Sequence, residues 1–143
     1  MHIYSNPNRA RVFELLSQCD LPSSDLKNTN LDTFLGCGDE ANPSGIIGLE
    51  QHGNFGLLRS LAVAPEARNR GYAKQLVAKA EETAKYRGIK SIYLLTDTAE
   101  QFFTKLGYNK VERISVPNAI KSTAEFSSLC PESAAVMVKV IDR

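Results

Sequence analysis

Charge imbalance, long apolar runs, paired cysteines and internal repeats are all missing from this chain of 143 residues, and each absence removes a class of function. Its 17 basic and 16 acidic residues leave a net charge of +1, so binding to nucleic acid through bulk charge is not expected. No apolar run approaches the roughly 20 residues needed to cross a bilayer, so no membrane partner is expected. The first residues, Met1-His2-Ile3-Tyr4-Ser5-Asn6-Pro7, carry no basic segment followed by an apolar stretch, so no secretory signal is expected. Cys19, Cys37 and Cys130 are odd in number and widely spaced, without metal-ligand spacing. They fit reduced thiols in a cytoplasm better than a disulfide framework, and no bound metal is expected. What is present, 43% hydrophobic and 23% charged residues, suits one globular domain over residues 1–143.

The most informative stretch is 57–80. The apolar run Leu61-Ala62-Val63-Ala64 ends at Pro65, and a polar turn follows with Arg68, Asn69, Arg70 and Gly71. From Tyr72 the period changes: Ala73, Leu76, Val77, Ala80 and Ala84 take the spacing of one helix face. A strand therefore feeds a glycine-containing basic turn that opens a helix. The first turn of a helix has unpartnered N–H groups and an electropositive end. That end suits a phosphate-bearing cofactor seated at residues 68–74.

Around this unit the chain reads as short elements. Residues 2–4 form a first strand, 9–19 an amphipathic helix, and Ser23 or Ser24 caps a short second helix reaching Asn28. Residues 30–37 follow as a strand and 38–45 as a turn rich in loop formers. Strands over 46–51 and 55–64 are joined by the hairpin tip His52-Gly53-Asn54. After the helix over 72–86, the apolar run of 89–96 predicts a strand parallel to the earlier one, giving a right-handed βαβ unit. A helix over 98–106 with Ala99, Phe102, Phe103 and Leu106 inward comes next, then a short strand at 108–111. Residues 116–130 read as a loosely helical segment. The alternation of Val136, Val138 and Val140 predicts a last strand over 134–141. If that strand is exposed at an edge, it offers a surface for homodimer pairing.

The run from Leu61 to Ala73, with Arg68, Gly71 and Ala73 at fixed spacing, resembles the acetyl-CoA-binding motif of the GNAT N-acetyltransferases. The run from Ala99 to Tyr108, some thirty residues on, resembles that family's second motif. The resemblance implies an α/β (α+β) fold: a mixed, mostly antiparallel twisted sheet of about six to seven strands flanked by helices, with a central βαβ acetyl-CoA unit. It implies that a splayed strand offers the backbone of Leu61, Ala62 and Val63 to the pantetheine arm. Backbone groups of Arg68, Asn69, Arg70, Gly71, Tyr72 and Ala73 would cradle the pyrophosphate, with Lys74 adding charge. Two positions depart from the family pattern. Phe103 stands where many members have a tyrosine that protonates the CoA thiolate, and Thr96 stands where an asparagine is common.

The resemblance further implies direct transfer of an acetyl group to the amine of a small molecule in a ternary complex. Such a reaction needs a base, for which Glu50 and His52 are candidates, and tolerates or protonates a leaving thiolate, for which Tyr108 or Tyr93 would serve. The exposed-tip character of His-Gly-Asn weighs against His52, and Tyr108 is as well suited to packing. Arg59 in an apolar strand needs a partner. That partner is either an anionic acceptor group, with Ser60 beside it, or a structural carboxylate such as Glu50. Leu58-Arg59-Ser60-Leu61-Ala62-Val63, Tyr93-Leu94-Leu95-Thr96, Phe102-Phe103 and Ser128-Leu129-Cys130-Pro131-Glu132-Ser133-Ala134 also resemble a narrower subgroup found with arsenic-resistance genes. That resemblance implies a pocket including Cys130 and an amino acid analogue bearing an arsenic or phosphorus oxyacid as acceptor. A non-catalytic acyl-CoA-binding module is the reading of another class, since the family's usual acid is missing at Phe103. A protein-lysine acetyltransferase is a third, against which stands the lack of a long acidic stretch.

Overall fold

The computed structural model describes residues 2–26, 31, 33–129 and 133–141. Its elements, in chain order, are β1 (Ile3–Ser5), α1 (Arg9–Gln18), β2 (Phe34–Gly38), β3 (Pro43–His52), β4 (Phe55–Val63), α2 (Tyr72–Tyr86), β5 (Ser91–Thr96), α3 (Glu100–Lys105), β6 (Asn109–Val111), α4 (Asn118–Lys121) and β7 (Ala135–Val140). Tight 3-10 turns occupy Ser24–Leu26, Pro65–Ala67 and Arg113–Ser115, and a π turn occupies Glu125–Leu129. The strands form one sheet in the order β1-β2-β3-β4-β5-β7-β6. β1 with β2, β2 with β3, and β7 with both β5 and β6 are antiparallel, while β4 and β5 are parallel. This is the mixed, mostly antiparallel sheet that the resemblance implied, with the β4–α2–β5 crossover read from the sequence.

The chain divides into two compact units, residues 1–49 with 59–83 and residues 50–58 with 84–143. In the first, the side chain of Asn8 accepts from the Arg11 N–H (3.0 Å) and caps α1. The helix buries Val12, Leu15 and Leu16 in a cluster with Leu26, Leu31, Phe34, Ile46, Ala62, Ala64 and Ala67. β3 begins at Pro43, three residues earlier than the periodicity suggested. The reason is a bulge: Gly38, at φ 88°, pairs with Pro43, so the turn shrinks to residues 39–42. At Gly48 a β-carbon would lie 2.7 Å from the ring of Phe34. A buried ring has no slack to give, so Gly48→Ala should cost about 1–3 kcal/mol. Urea unfolding would show this as a lower midpoint at unchanged slope.

In the second unit, Leu57, Val116, Ile120, Phe126 and Val136 form a cluster against which Phe55, Tyr93, Leu95 and Val111 pack. Part of the 116–130 segment thus covers one face of β5 and β7. α3 starts two residues later than predicted, because the Thr96 hydroxyl oxygen accepts from the Ala99 N–H (3.0 Å) and holds 97–99 in a turn. Of its expected inward side chains, only Phe103 is fully buried. The last strand also corrects the prediction. β7 lies between β5 and β6, so it is not an edge, and the argument for a homodimer through it falls. Nor does its alternation mark one inner face. Val136 and Met137 are buried in succession, whereas Val140 is 62% exposed. An interior strand covered on both faces reads this way.

Candidate functional site

In the first unit, β4 carries two consecutive buried polar residues. Arg59 and Ser60 retain only 4% and 8% exposure. The Arg59 guanidinium donates through Nη1 and Nη2 to the two carboxylate oxygens of Asp25 (2.5 and 2.9 Å) and through Nε to Ser60 Oγ (3.1 Å). This planar fork on a carboxylate is the strong form of the ion pair. Asp25 is therefore the carboxylate on the guanidinium fork. Glu50, the example of such a carboxylate named from sequence, has its Oε1 3.0 Å from His52 Nε2. Ser60 itself sits at φ 60° inside a strand. A non-glycine residue there costs about 1–3 kcal/mol and persists only where its surroundings hold it. Before it, residues 56–60 are all buried; after it, Leu61, Ala62 and Val63 are half-buried, buried and half-buried. The irregular residue marks a new phase of the strand.

Beyond β4, Pro65 starts the 3-10 turn and Ala67 is buried beneath it. Arg68 is exposed, yet its Nε donates to the Val63 carbonyl (3.2 Å) and its Nη2 lies 3.5 Å from Cys19 Sγ. Asn69 has φ 66° and Gly71 φ 80°. Such left-handed residues in a tight turn bring successive N–H groups into an anion-binding concavity. α2 opens directly after it with no acidic residue in its first turn, so its dipole is not offset there by a carboxylate. A β-carbon on Gly71 would meet nothing nearer than Gln75 Nε2 at 4.0 Å, so space is open over the glycine. Arg68, Asn69, Arg70, Gly71 and Lys74 are exposed, while Tyr72 and Ala73 are half-buried. The inner face of α2 is the expected one, with Leu76, Val77, Ala80 and Ala84 buried.

The second unit holds the remaining named residues. Thr96 caps the turn into α3, as described above. Phe103 is 6% exposed and stacks edge-on with Phe102 and with Tyr108, at ring separations of 5.0 and 5.5 Å. Tyr108 is 1% exposed, and the Lys139 ammonium lies 5.7 Å from its ring. Burial pushes the Tyr93 phenol above its usual pKa. Glu50 and His52 both lie at the end of β3, just before the turn at Gly53 and Asn54. Cys130 lies outside the described residues. Asp25 was not singled out from sequence. The only signal for it was that a buried Arg59 needs a carboxylate, and nothing local to either residue says which. Among the described residues no helix is long and apolar enough to cross a membrane, and no cluster of three His, Cys, Asp or Glu side chains is placed to hold a metal.

Comparison with known proteins places this geometry. The family described as the Acetyltransferase (GNAT) domain matches residues 30–110. An uncharacterized N-acetyltransferase of Chlorobaculum tepidum is 38% identical over 63 residues, which make up 44% of this chain and 40% of that protein. The N-acetylglutamate synthase of Neisseria gonorrhoeae, solved with coenzyme A and N-acetyl-glutamate, superposes with a TM-score of 0.84 at 18% identity, covering 99% of this chain and 35% of its own. A Mycobacterium tuberculosis protein solved with CoA superposes at 0.79 and 17% identity over 98% of this chain and 99% of its own. The match thus spans two-fifths of the curated relative and about a third of the synthase. The structural likenesses show the fold.

Proposed function

The chain belongs to the GNAT acetyltransferase family, and from that premise we propose that it transfers an acetyl group from acetyl-CoA to the amine of a small-molecule acceptor by direct attack. The observation that carries the reading is the turn at 68–71. Its left-handed Asn69 and Gly71 open a helix without a first-turn acid, and the space over Gly71 is clear. A pyrophosphate is the anion that such a concavity at a helix N-terminus suits. Residues Arg68 to Lys74 would hold it, and the backbone of Leu61, Ala62 and Val63 would take the pantetheine arm. A backbone N–H there, most simply that of Val63, would polarise the acetyl carbonyl.

Glu50 with His52 at 3.0 Å is the candidate base, taking the amine proton through water. Of the two candidate acids, Tyr108 is buried against Phe103, which supports a packing role, and burial raises the Tyr93 phenol above its usual pKa, which makes it a poorer proton donor. We therefore favour departure of the thiolate without an enzymic acid. The Asp25 fork on Arg59 likewise favours the structural reading of that arginine over direct capture of an anionic acceptor. An oxyacid-bearing acceptor, as in the arsenic-associated subgroup, would then be recognised elsewhere. The shared fold of the synthase solved with N-acetyl-glutamate is compatible with an amine of amino acid size.

A non-catalytic acyl-CoA-binding module is kept as the second reading because Phe103, buried and without a hydroxyl, stands at the usual acid position. The two separate on incubating the protein and acetyl-CoA with a broad panel of small amines while free thiol is followed. Amine-dependent thiol release is the expected result. Tight CoA binding without release across the panel would sink the catalytic reading.

A further inference from the structure

We infer that Asp25, Arg59 and Ser60 form a buried latch that sets the backbone of residues 61–63 for the cofactor. The inference rests on the acetyl-CoA reading given above and adds positioning residues to it, one of them 34 positions from Arg59 in the chain. Ser60 has a left-handed φ of 60° in mid-strand, a conformation that serine does not choose unaided. Glycine is the residue that would hold such a site freely, and the chain does not use it here. What holds the serine is visible. Its hydroxyl oxygen accepts from Arg59 Nε at 3.1 Å, and the rest of the guanidinium is fixed by two bonds to Asp25. The arginine side chain is fully buried, so it has no solvent route to another pose.

The consequence falls on the next three residues. Side chains and backbone groups alternate along a strand with period two, so a change of phase by one residue turns every later group to the opposite face. Leu61, Ala62 and Val63 alternate cleanly from the latch onward, whereas residues 56–60 do not. If residue 60 relaxed to an extended φ, the N–H groups of 61–63 would turn away from the side that they now present. Asp25 and Arg59 therefore act on the cofactor through Ser60 rather than by touching it.

The test compares CoA affinity, measured by calorimetry on the folded chain, with thermal stability for a set of variants. Arg59→Met should weaken CoA binding by about tenfold, and Asp25→Asn by about threefold, because ångström-scale misplacement of binding groups costs up to about a hundredfold. The KM for acetyl-CoA should rise while that for the amine stays. Adding Ser60→Gly to either variant should recover most of the affinity, since glycine adopts the left-handed φ without a latch. A purely structural ion pair would lower the melting temperature and leave the affinity of the folded chains at the native value; that result overturns the latch. So does an affinity loss that Ser60→Gly fails to relieve. Should Arg59→Met not fold, Asp25→Asn with and without Ser60→Gly makes the same comparison. Failure of the native chain to bind CoA would overturn the underlying reading as well, which distinguishes the two failures.

Discussion

Substituting Gly71 with glutamate is expected to lower the affinity for CoA by at least about a hundredfold, or roughly 2.7 kcal/mol, while the protein stays folded. Three effects contribute, and they can be ordered. The backbone at φ 80° penalises any side chain by about 1–2 kcal/mol. A carboxylate in front of a helix N-terminus returns about 0.3–1 kcal/mol of that through the dipole. The fold therefore loses little, because the new side chain also meets no protein atom: Gln75 Nε2, 4.0 Å from the β-carbon position, is the nearest. The ligand carries the rest of the effect. The glutamate would occupy the space over the turn and set a negative charge against the phosphates. Gly71→Ala separates these terms, since it keeps the backbone penalty and omits the charge; a loss of about tenfold is expected there, the factor that 1.4 kcal/mol represents. Calorimetric titration with CoA, run beside urea unfolding, measures both. Native affinity in the glutamate variant would remove the phosphate from this turn.

The reason this turn was legible from sequence is that its determinants are local. The change from an apolar run to a spacing of three and four located α2 at Tyr72–Tyr86, and Leu76, Val77, Ala80 and Ala84 are the residues that the helix buries. Glycine at 71 was read as room for a close approach to the backbone, and its φ of 80° is a region that glycine enters freely. Ser60 adopts the same region without any such signal, because a serine there is held by contacts and not by preference. Strand order was illegible for a related reason. Alternation reports which face a side chain takes, not whether a strand is at an edge, so insertion of β7 between β5 and β6 could not be read from Val136, Val138 and Val140. The pair Asp25–Arg59 is the clearest case. A buried cation implies a carboxylate somewhere, yet Asp25 stands 34 positions away along the chain, and only the fold brings it to the guanidinium.

That pair yields the second large effect, on stability. Asp25→Ala is expected to cost about 3–5 kcal/mol, the range for removing one partner of a buried ion pair. Arg59→Met is expected to cost less, about 1–3 kcal/mol, although it deletes more atoms. The asymmetry follows from exposure. The Arg59 side chain is fully buried while that of Asp25 keeps 23% of its surface. Without Asp25, the guanidinium loses the carboxylate that takes two of its donors and cannot reach water without opening the core. Without Arg59, the carboxylate can hydrate where it stands, and methionine fills much of the volume of the arginine stem. The double variant Asp25→Ala/Arg59→Met should fall near Arg59→Met alone, because the aspartate matters chiefly while the guanidinium is there, and the cycle would report that coupling. Urea midpoints at unchanged slope for the four chains measure it. The reverse order, with Arg59→Met the costlier change, would mean that the arginine stabilises the unit through the packing of its stem, and the charge pair would then matter to the position of Ser60 more than to the stability of the fold.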